Sequence, residues 1–169
     1  FLRPEMRSTG EVMGIAPTFG SAVMKAFLAT GVSVPKTGKV FLSVNDNDKA
    51  RILPIAESLH KLGYALVATH GTADVLEEAG VPCRRANKVA EGRPHIVDMI
   101  KNDEISLIVN TTEGKRAISE SNSIRREAVS RRVTYYTTLA AALATCEAID
   151  HLQEVEVNRL QDLHKEVQV

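Results

Sequence analysis

Apolar residues along this chain fall in short runs separated by amphipathic stretches. "KVFLSV" (39–44), "YALVAT" (64–69), "ISLIVNT" (105–111) and "VTYYT" (133–137) are rich in β-branched and apolar residues, which predicts short strands buried on both faces. A weaker run at 83–87 predicts one more. Between the runs the period lengthens to that of a helix. Ile52, Ile55, Ala56, Leu59 and Leu62 recur at helical spacing, with Asn47 as cap, Gly63 as stop and Pro54 about two turns in, where a ring can kink the helix. Further helices are predicted over 72–80, 94–103, 121–132 (capped by Ser121 or Asn122) and 139–150. Upstream, "TFGSAVMKAFLATG" predicts a helix between a Thr18 cap and a Gly31 stop. Downstream, an acidic tail predicts one more around 158–167.

"VSVPKTGK" is punctuated by Pro35 and Gly38 and has the character of a linker, so a boundary is placed near residue 37. Three parts result: a leading segment 1–36, a regular domain 37–150 and the tail 151–169. Strand–helix alternation in the middle part implies an α/β fold, a Rossmann-like open sheet of about five parallel strands with helices on both faces. Such sheets bind ligands beyond the carboxyl ends of their strands. The polar residues at those ends are Asn45, then Thr69 and Thr72, then Lys88, then Asn110 to Thr112, then Tyr135 to Thr138.

Composition narrows the ligand class. Hydrophobic residues make up 44% and charged residues 25%, ordinary for a soluble globular protein. With 21 basic and 21 acidic residues, no global field recruits nucleic acid. Charge is uneven, however: residues 84–132 carry eleven Lys/Arg against seven Asp/Glu, and 147–169 carry two against six. The middle can therefore attract a small anion. The two cysteines, Cys83 and Cys146, have no metal-ligand spacing and are taken as reduced thiols. No apolar run of membrane length and no leader is present, so the chain has a cytosolic character, and its start at Phe1 suggests a piece of something longer.

A phosphate wants backbone N–H groups, hydroxyl donors and one or two cationic side chains. Thr69-His70-Gly71-Thr72 supplies hydroxyls and a glycine where a strand passes into a helix. Gly71 allows close approach, the helix end adds its positive dipole, and Lys49, Lys88, Lys115 and Arg116 can add charge. Thr72 serves equally well as a phosphate donor or as a simple helix cap. "NTTEGKR" (110–116) repeats the chemistry after another strand. His70 has no carboxylate beside it in sequence, which favours a polar role over acid–base work. His60 suits a helix surface, and His95 follows Pro94 at a helix start, near enough to assist an anion site. There is no metal-ligand cluster, no G-x-x-x-x-G-K-[ST] loop and no G-x-G-x-x-G turn. The arginine pairs at 84–85, 125–126 and 131–132 lack interleaved aromatics, so they do not describe an RNA-binding surface.

These residues carry a resemblance that covers nearly the whole chain. "FLRPEMRSTGEVMG" resembles the closing segment of the second ATP-grasp synthetase unit of carbamoyl-phosphate synthase large subunits. "LSVNDNDK", "ATHGTADVLEEAG", "NKVAEGRPHI", "VNTTEGKRAI" and "IRREAV" resemble the carboxy-terminal allosteric domain of that family, whose fold is methylglyoxal-synthase-like. The resemblance implies a non-catalytic, cytoplasmic effector-binding domain serving pyrimidine and arginine biosynthesis. UMP, as inhibitor, and IMP would share one cleft. It implies effector contacts from Ser43, Lys49, Thr69, Gly71, Thr72, Lys88, Asn110, Thr112, Lys115 and Arg116. It also implies an ornithine region at the junction with the synthetase body, matched by Tyr135, Tyr136 and Thr137, where Tyr136 replaces an acidic residue. Losing that carboxylate removes a charge-assisted bond of about 1.5–3 kcal/mol. The implied partners are the synthetase body, the small glutaminase subunit and oligomer contacts, with no nucleic acid and no membrane. No cofactor or metal is implied for this part, and ATP, Mg or Mn, and K for the parent ligase.

Two rivals stand beside this expectation. A methylglyoxal synthase-type phosphate lyase shares the fold but needs a carboxylate within reach of a proton next to a carbonyl. Where that family has its aspartates this chain has Arg93 and Thr112, and Asn45 stands in place of a histidine, leaving Glu113 one residue off as the substitute. The other rival is a purely structural domain, whose apolar helix 139–150 would mediate oligomer contacts.

Overall fold

The computed structural model describes residues 9–32 and 34–151, with isolated positions at 157, 159, 161, 162 and 165. The expected tail helix over 158–167 and the first eight residues of the leading segment fall largely or wholly outside the described residues.

Five short runs form one parallel sheet: β1 (Lys39–Ser43), β2 (Ala65–Ala68), β3 (Arg84–Arg85), β4 (Leu107–Asn110) and β5 (Thr134–Tyr136). Their order is β3-β2-β1-β4-β5. The chain thus steps outward from β1 to β3, crosses back, and steps outward again through β4 and β5. The point of reversal lies between β1 and β4, where Ser43 pairs with Asn110. Connections leaving these two strands go to opposite sides, which opens a crevice above their carboxyl ends.

Because successive strand residues face opposite ways, the apolar runs supply two cores. Val40 and Leu42 of β1, Leu66 and Ala68 of β2, and Leu107 and Val109 of β4 face one layer of helices. That layer holds α2 (Lys49–Lys61), α3 (His70–Glu78) and α6 (Leu139–Asp150). Phe41, Val67 and Ile108 face the other layer, α4 (Ile96–Lys101) and α5 (Gly114–Ser130). Complete burial of Phe41, Leu42 and Ile108, each at 0% exposure, explains why these strands contain no polar alternation.

The leading segment contributes α1 (Phe19–Thr30), bounded by the Thr18 cap, which accepts from Ser21 N, and by Gly31 in the left-handed region at φ 70°. This helix packs on α6. Contact is close enough that a Cβ added to Gly20 would sit 2.6 Å from the Glu147 carbonyl oxygen, so only glycine fits there. The linker is held down as well: Val34 is buried in the first core, and the buried Tyr64 donates its hydroxyl to the Pro35 carbonyl.

Several boundaries differ from expectation. α2 is preceded by a single 3-10 turn, Asp46–Asp48, capped by Asn45, whose side chain accepts from Asp48 N at 3.1 Å; Asp48 holds the cap position of α2 without a side-chain bond, and Asn47 is left for another purpose. α3 starts at His70, so Thr69 occupies its cap position and Thr72 lies in its first turn. α5 starts at Gly114, near two turns ahead of the expected 121, and Ser121 is a buried interior residue donating to the Ile118 carbonyl at 2.9 Å. Pro54 lies inside α2, which continues past it to Lys61.

Candidate functional site

A cavity of about 750 Å³ opens above the carboxyl ends of β1 and β4, at the reversal point of the sheet. Its floor is made by residues leaving those strands: Ser43, Val44 and Asn45 from β1, and Asn110, Thr111 and Thr112 from β4. Thr69 from the end of β2 and Lys88 from beyond β3 join one side, and α5 supplies the other through Ala117 and Ile124.

The hydroxyl cluster begins with Thr69. Its backbone carbonyl starts α3 by accepting from Thr72 N and Ala73 N at 2.9 and 2.8 Å. Its own hydroxyl makes no cap bond and lies 3.4 Å from both Ser43 Oγ and Thr72 Oγ1. Thr72 is not the helix cap: it lies in the first turn of α3, and its oxygen accepts from the Val44 backbone N–H at 3.1 Å. Both threonines are nearly sealed from solvent, at 3% and 1% exposure. Ser43, Thr69 and Thr72 thus gather three hydroxyls beside the amino end of a nine-residue helix, an environment suited to an anion.

Lys49 stands at the start of α2, and a Cβ placed on Gly71 would lie 3.3 Å from its Nζ. A larger residue at 71 would crowd that ammonium. Lys49 also pairs with Asp46 at 2.7 Å. The Asp46 carboxyl is held below its usual range, first by the hydrogen bond from Lys49, then by the Lys49 charge and, more weakly, by Lys88. Lys49 and Lys88 thus both act on Asp46, Lys49 by direct pairing and Lys88, which lines the cavity, more weakly.

The opposite side is organised by asparagines. Asn45 donates from its backbone N and from Nδ2 to Thr111 Oγ1, each at 3.1 Å, locking the β1 exit to the β4 exit. Asn110, 3% exposed, donates from Nδ2 to the Tyr135 hydroxyl at 2.7 Å. The Arg125 guanidinium stands 5.6 Å from the centre of the Tyr135 ring, a cation–π distance. Asn47 donates from Nδ2 to Glu113 Oε2 at 2.6 Å across the cavity mouth.

Of the sequence-predicted residues, Ser43, Thr69, Lys88, Asn110 and Thr112 line the cavity. Lys49, Gly71 and Thr72 are not among the wall residues, but Thr72 contacts the wall residue Thr69 and Gly71 lies beside Lys49. Lys115 is exposed and does not line the wall, and the side chain of Arg116 lies outside the described residues. Tyr135, Tyr136 and Thr137 do not converge. Alternation along β5 sends Tyr135 toward the second core and Tyr136 into the first, beneath α6. Burial pushes the Tyr136 phenol up, partly offset by the Thr145 hydroxyl, yet among the described residues the buried phenol oxygen has no partner in hydrogen-bonding geometry.

Several wall residues were not foreseen as effector contacts, among them Asp46, Thr111 and Glu120. Thr111 lay within the polar run at the end of β4, which was the available signal. Asp46 and Glu120 look like ordinary surface carboxylates in sequence. His70 takes polar neighbours from across the fold: its Nε2 lies 3.2 Å from Asn87 Oδ1 and 3.8 Å from Glu91 Oε2. His95 caps α4, its Nδ1 accepting from Asp98 N at 3.4 Å, and takes no part in the cavity wall. Arg93 is tied to Asp98. Among the described residues there is no group of three His, Cys, Asp or Glu arranged to hold a metal ion, and no helix long and apolar enough to cross a membrane.

The family model described as an MGS-like domain matches residues 51–137, which contain β2 to β5 and the cavity residues from Thr69 onward; the β1 end of the cavity, Ser43 to Asn45, precedes that range. The chain belongs to the MGS-like domain family. The fold of this MGS-like domain is shared with methylglyoxal synthase from Elizabethkingia anophelis NUHP1, at a TM-score of 0.56 over 78% of this chain and 93% of that one. At 15% identity, that likeness concerns the fold alone. The chain is 54% identical over 164 residues to the carbamoyl phosphate synthase large chain of Ralstonia nicotianae, covering 96% of this chain and 15% of that protein. It is 55% identical over 167 residues to the same protein of Xanthomonas campestris pv. campestris, covering 99% of this chain and 16% of the relative. The MGS-like domain with its flanking segments thus spans less than a fifth of the length of the curated relatives it matches.

Proposed function

We propose that this chain is the effector-binding part of a carbamoyl phosphate synthase large chain, a cavity that takes a nucleoside monophosphate and leaves it chemically unchanged. The observation that carries the reading is the cluster of the half-buried Ser43 hydroxyl with the buried Thr69 and Thr72 hydroxyls, beside a cavity at the sheet's reversal point, in a chain 54% identical to such large chains. The phosphoryl group would sit against the amino end of α3, taking donors from Ser43 and Thr69 and charge from Lys88 and Lys49. Asn110 and Thr112 face its other side. UMP, as inhibitor, and IMP are the ligands proposed for this cleft. Ornithine is proposed for the junction side, where Tyr136 lies beneath α6 and α6 carries α1.

Chemistry is disfavoured by the state of the carboxylates. A base that removes a carbon-bound proton works best with a raised pKa. Asp46 is instead held down by Lys49 and engaged by it, while Glu113 is engaged by Asn47. Within the proposed parent, a cytoplasmic, glutamine-hydrolysing and ATP-dependent ligase of pyrimidine and arginine biosynthesis, the partners are the synthetase body and the small glutaminase subunit. A ligand alters such an enzyme only by binding two of its states unequally, and coupling of about 1–3 kcal/mol suffices. The α1–α6 contact is the proposed route, since α1 belongs to the segment leading in from the synthetase side.

The test is made in the whole enzyme. Lys88→Ala should abolish the response of carbamoyl phosphate formation to UMP and IMP while sparing the rate without effector. An unaltered nucleotide response in that variant would sink the reading.

A further inference from the structure

We propose that Glu113 is a specificity-determining residue of this cavity: its carboxylate accepts hydrogen bonds from the vicinal hydroxyls of a bound sugar phosphate and turns away ligands with a second anionic group. The proposal rests on the reading of the cavity as a monophosphate site.

Glu113 occupies the cap position of α5, a seventeen-residue helix, yet its side chain makes no cap bond. Asn, Asp, Ser and Thr serve that position well, and glutamate is not among the favoured caps. The carboxylate is directed across the mouth instead, where Oε2 accepts from Asn47 Nδ2 at 2.6 Å. The two residues are 66 apart in sequence, and both line the cavity. An ionised carboxylate has about four acceptor sites. Asn47 occupies one of them, so the group is oriented but not saturated by the described residues.

Position sets what the remaining oxygen can meet. Thr69 leaves β2 and Glu113 follows β4, with β1 between them, so the two strands are separated by roughly 10 Å. That is the reach of a sugar phosphate held by its phosphate at the hydroxyl cluster. A carboxylate facing a ribose diol is the pairing that dinucleotide-binding sheets use for the same purpose. Charge is polarised along this path. Lys49 and Lys88 lie toward the cluster, whereas Glu113 lies toward the mouth with no cation bonded to it among the described residues. A ligand with one compact anionic end and a neutral, hydroxyl-bearing body matches both ends, and a second phosphate opposite Glu113 would meet like charge.

Titration calorimetry of the protein tests this with three probes: a nucleoside 5′-monophosphate, its 2′,3′-dideoxy counterpart and the nucleoside 3′,5′-bisphosphate. Wild type should prefer the monophosphate over the dideoxy form by roughly fivefold and over the bisphosphate by roughly tenfold or more. Glu113→Ala should lose both preferences. Glu113→Gln, which keeps an acceptor but no charge, should admit the bisphosphate while retaining part of the diol preference. Unchanged preferences in both variants would overturn the role of Glu113 alone. Failure of wild type to bind any of the three at millimolar concentration would overturn it together with the monophosphate reading beneath it.

Discussion

The backbone N–H of Val44, just past the end of β1, donates to the Thr72 hydroxyl in the first turn of α3 at 3.1 Å. This bond fastens two strand exits into one rigid corner, with Thr69 between them and in contact with Thr72. Thr72→Val keeps the shape but leaves the Val44 N–H without an acceptor in a sealed place. The expected loss is about 1–3 kcal/mol by denaturant unfolding, and Thr72→Ser should recover most of it. An unchanged midpoint for Thr72→Val would mean that the corner is not held by this bond.

Gly20 makes a second prediction. Alanine is normally the better helix former by about 1 kcal/mol. Here its Cβ would meet the Glu147 carbonyl oxygen at 2.6 Å, and backbone cannot step aside without separating α1 from α6. Overpacking of this kind costs about 1–3 kcal/mol, so Gly20→Ala should destabilise despite its propensity gain. A higher thermal midpoint would show that the two helices can part freely.

Alkali should weaken the fold in a defined window. Burial pushes the Cys146 thiol up to about 11, from 9.0 in the open chain, and burial likewise raises Tyr64. Both groups are neutral when protonated, so their raised values stabilise the fold below the unfolded pKa and that contribution disappears as pH rises. For Cys146 the window runs from 9.0 to about 11, and the contribution at stake is about 2–3 kcal/mol. Cys146→Ala should flatten this part of the stability–pH curve. Native Cys146 should also resist alkylation at neutral pH, since the thiolate is the reactive form.

Acid acts on a different group. The Asp98 carboxyl is held well below the usual range, chiefly by its hydrogen bond with Arg93 and next by the His95 backbone N–H. A depressed carboxylate contributes above its unfolded value and is lost as pH falls through its folded one. Asp98→Asn should therefore cost stability near neutrality and little at strongly acidic pH, as read by urea unfolding at several pH values. A pH-independent cost would assign the effect to shape alone.

Much of the architecture was legible because the strands are buried on both sides. Val40, Phe41 and Leu42 need no polar partner, so the run announces itself, and α1 and α6 match their expected spans because Thr18, Gly31 and an apolar stretch mark them. α5 was shortened for the converse reason. Its first turns, "GKRAISE", are mostly polar and solvent-facing, and the helix opens on Gly114 at φ 83°, which looks like a turn. Asn45 rather than Asn47 caps the β1 exit because a 3-10 turn intervenes, which changes the spacing by two residues. Thr69 and Thr72 were visible because they follow the apolar run of β2, whereas Ser43 came only with the family resemblance. Asp46, Glu120 and the Glu91 neighbour of His70 were not, because segments meeting across the sheet leave no trace in local spacing.

The central claim is that this cavity holds a nucleoside monophosphate through its phosphate without changing it. Titration calorimetry of the protein with UMP, in wild type and in Lys88→Ala, followed by phosphorus NMR of the recovered ligand, tests it most directly. The account predicts saturable binding at one site, weakened roughly tenfold or more by the substitution, and intact UMP afterwards. Absence of binding at millimolar concentration, affinity indifferent to Lys88, or release of inorganic phosphate would contradict it.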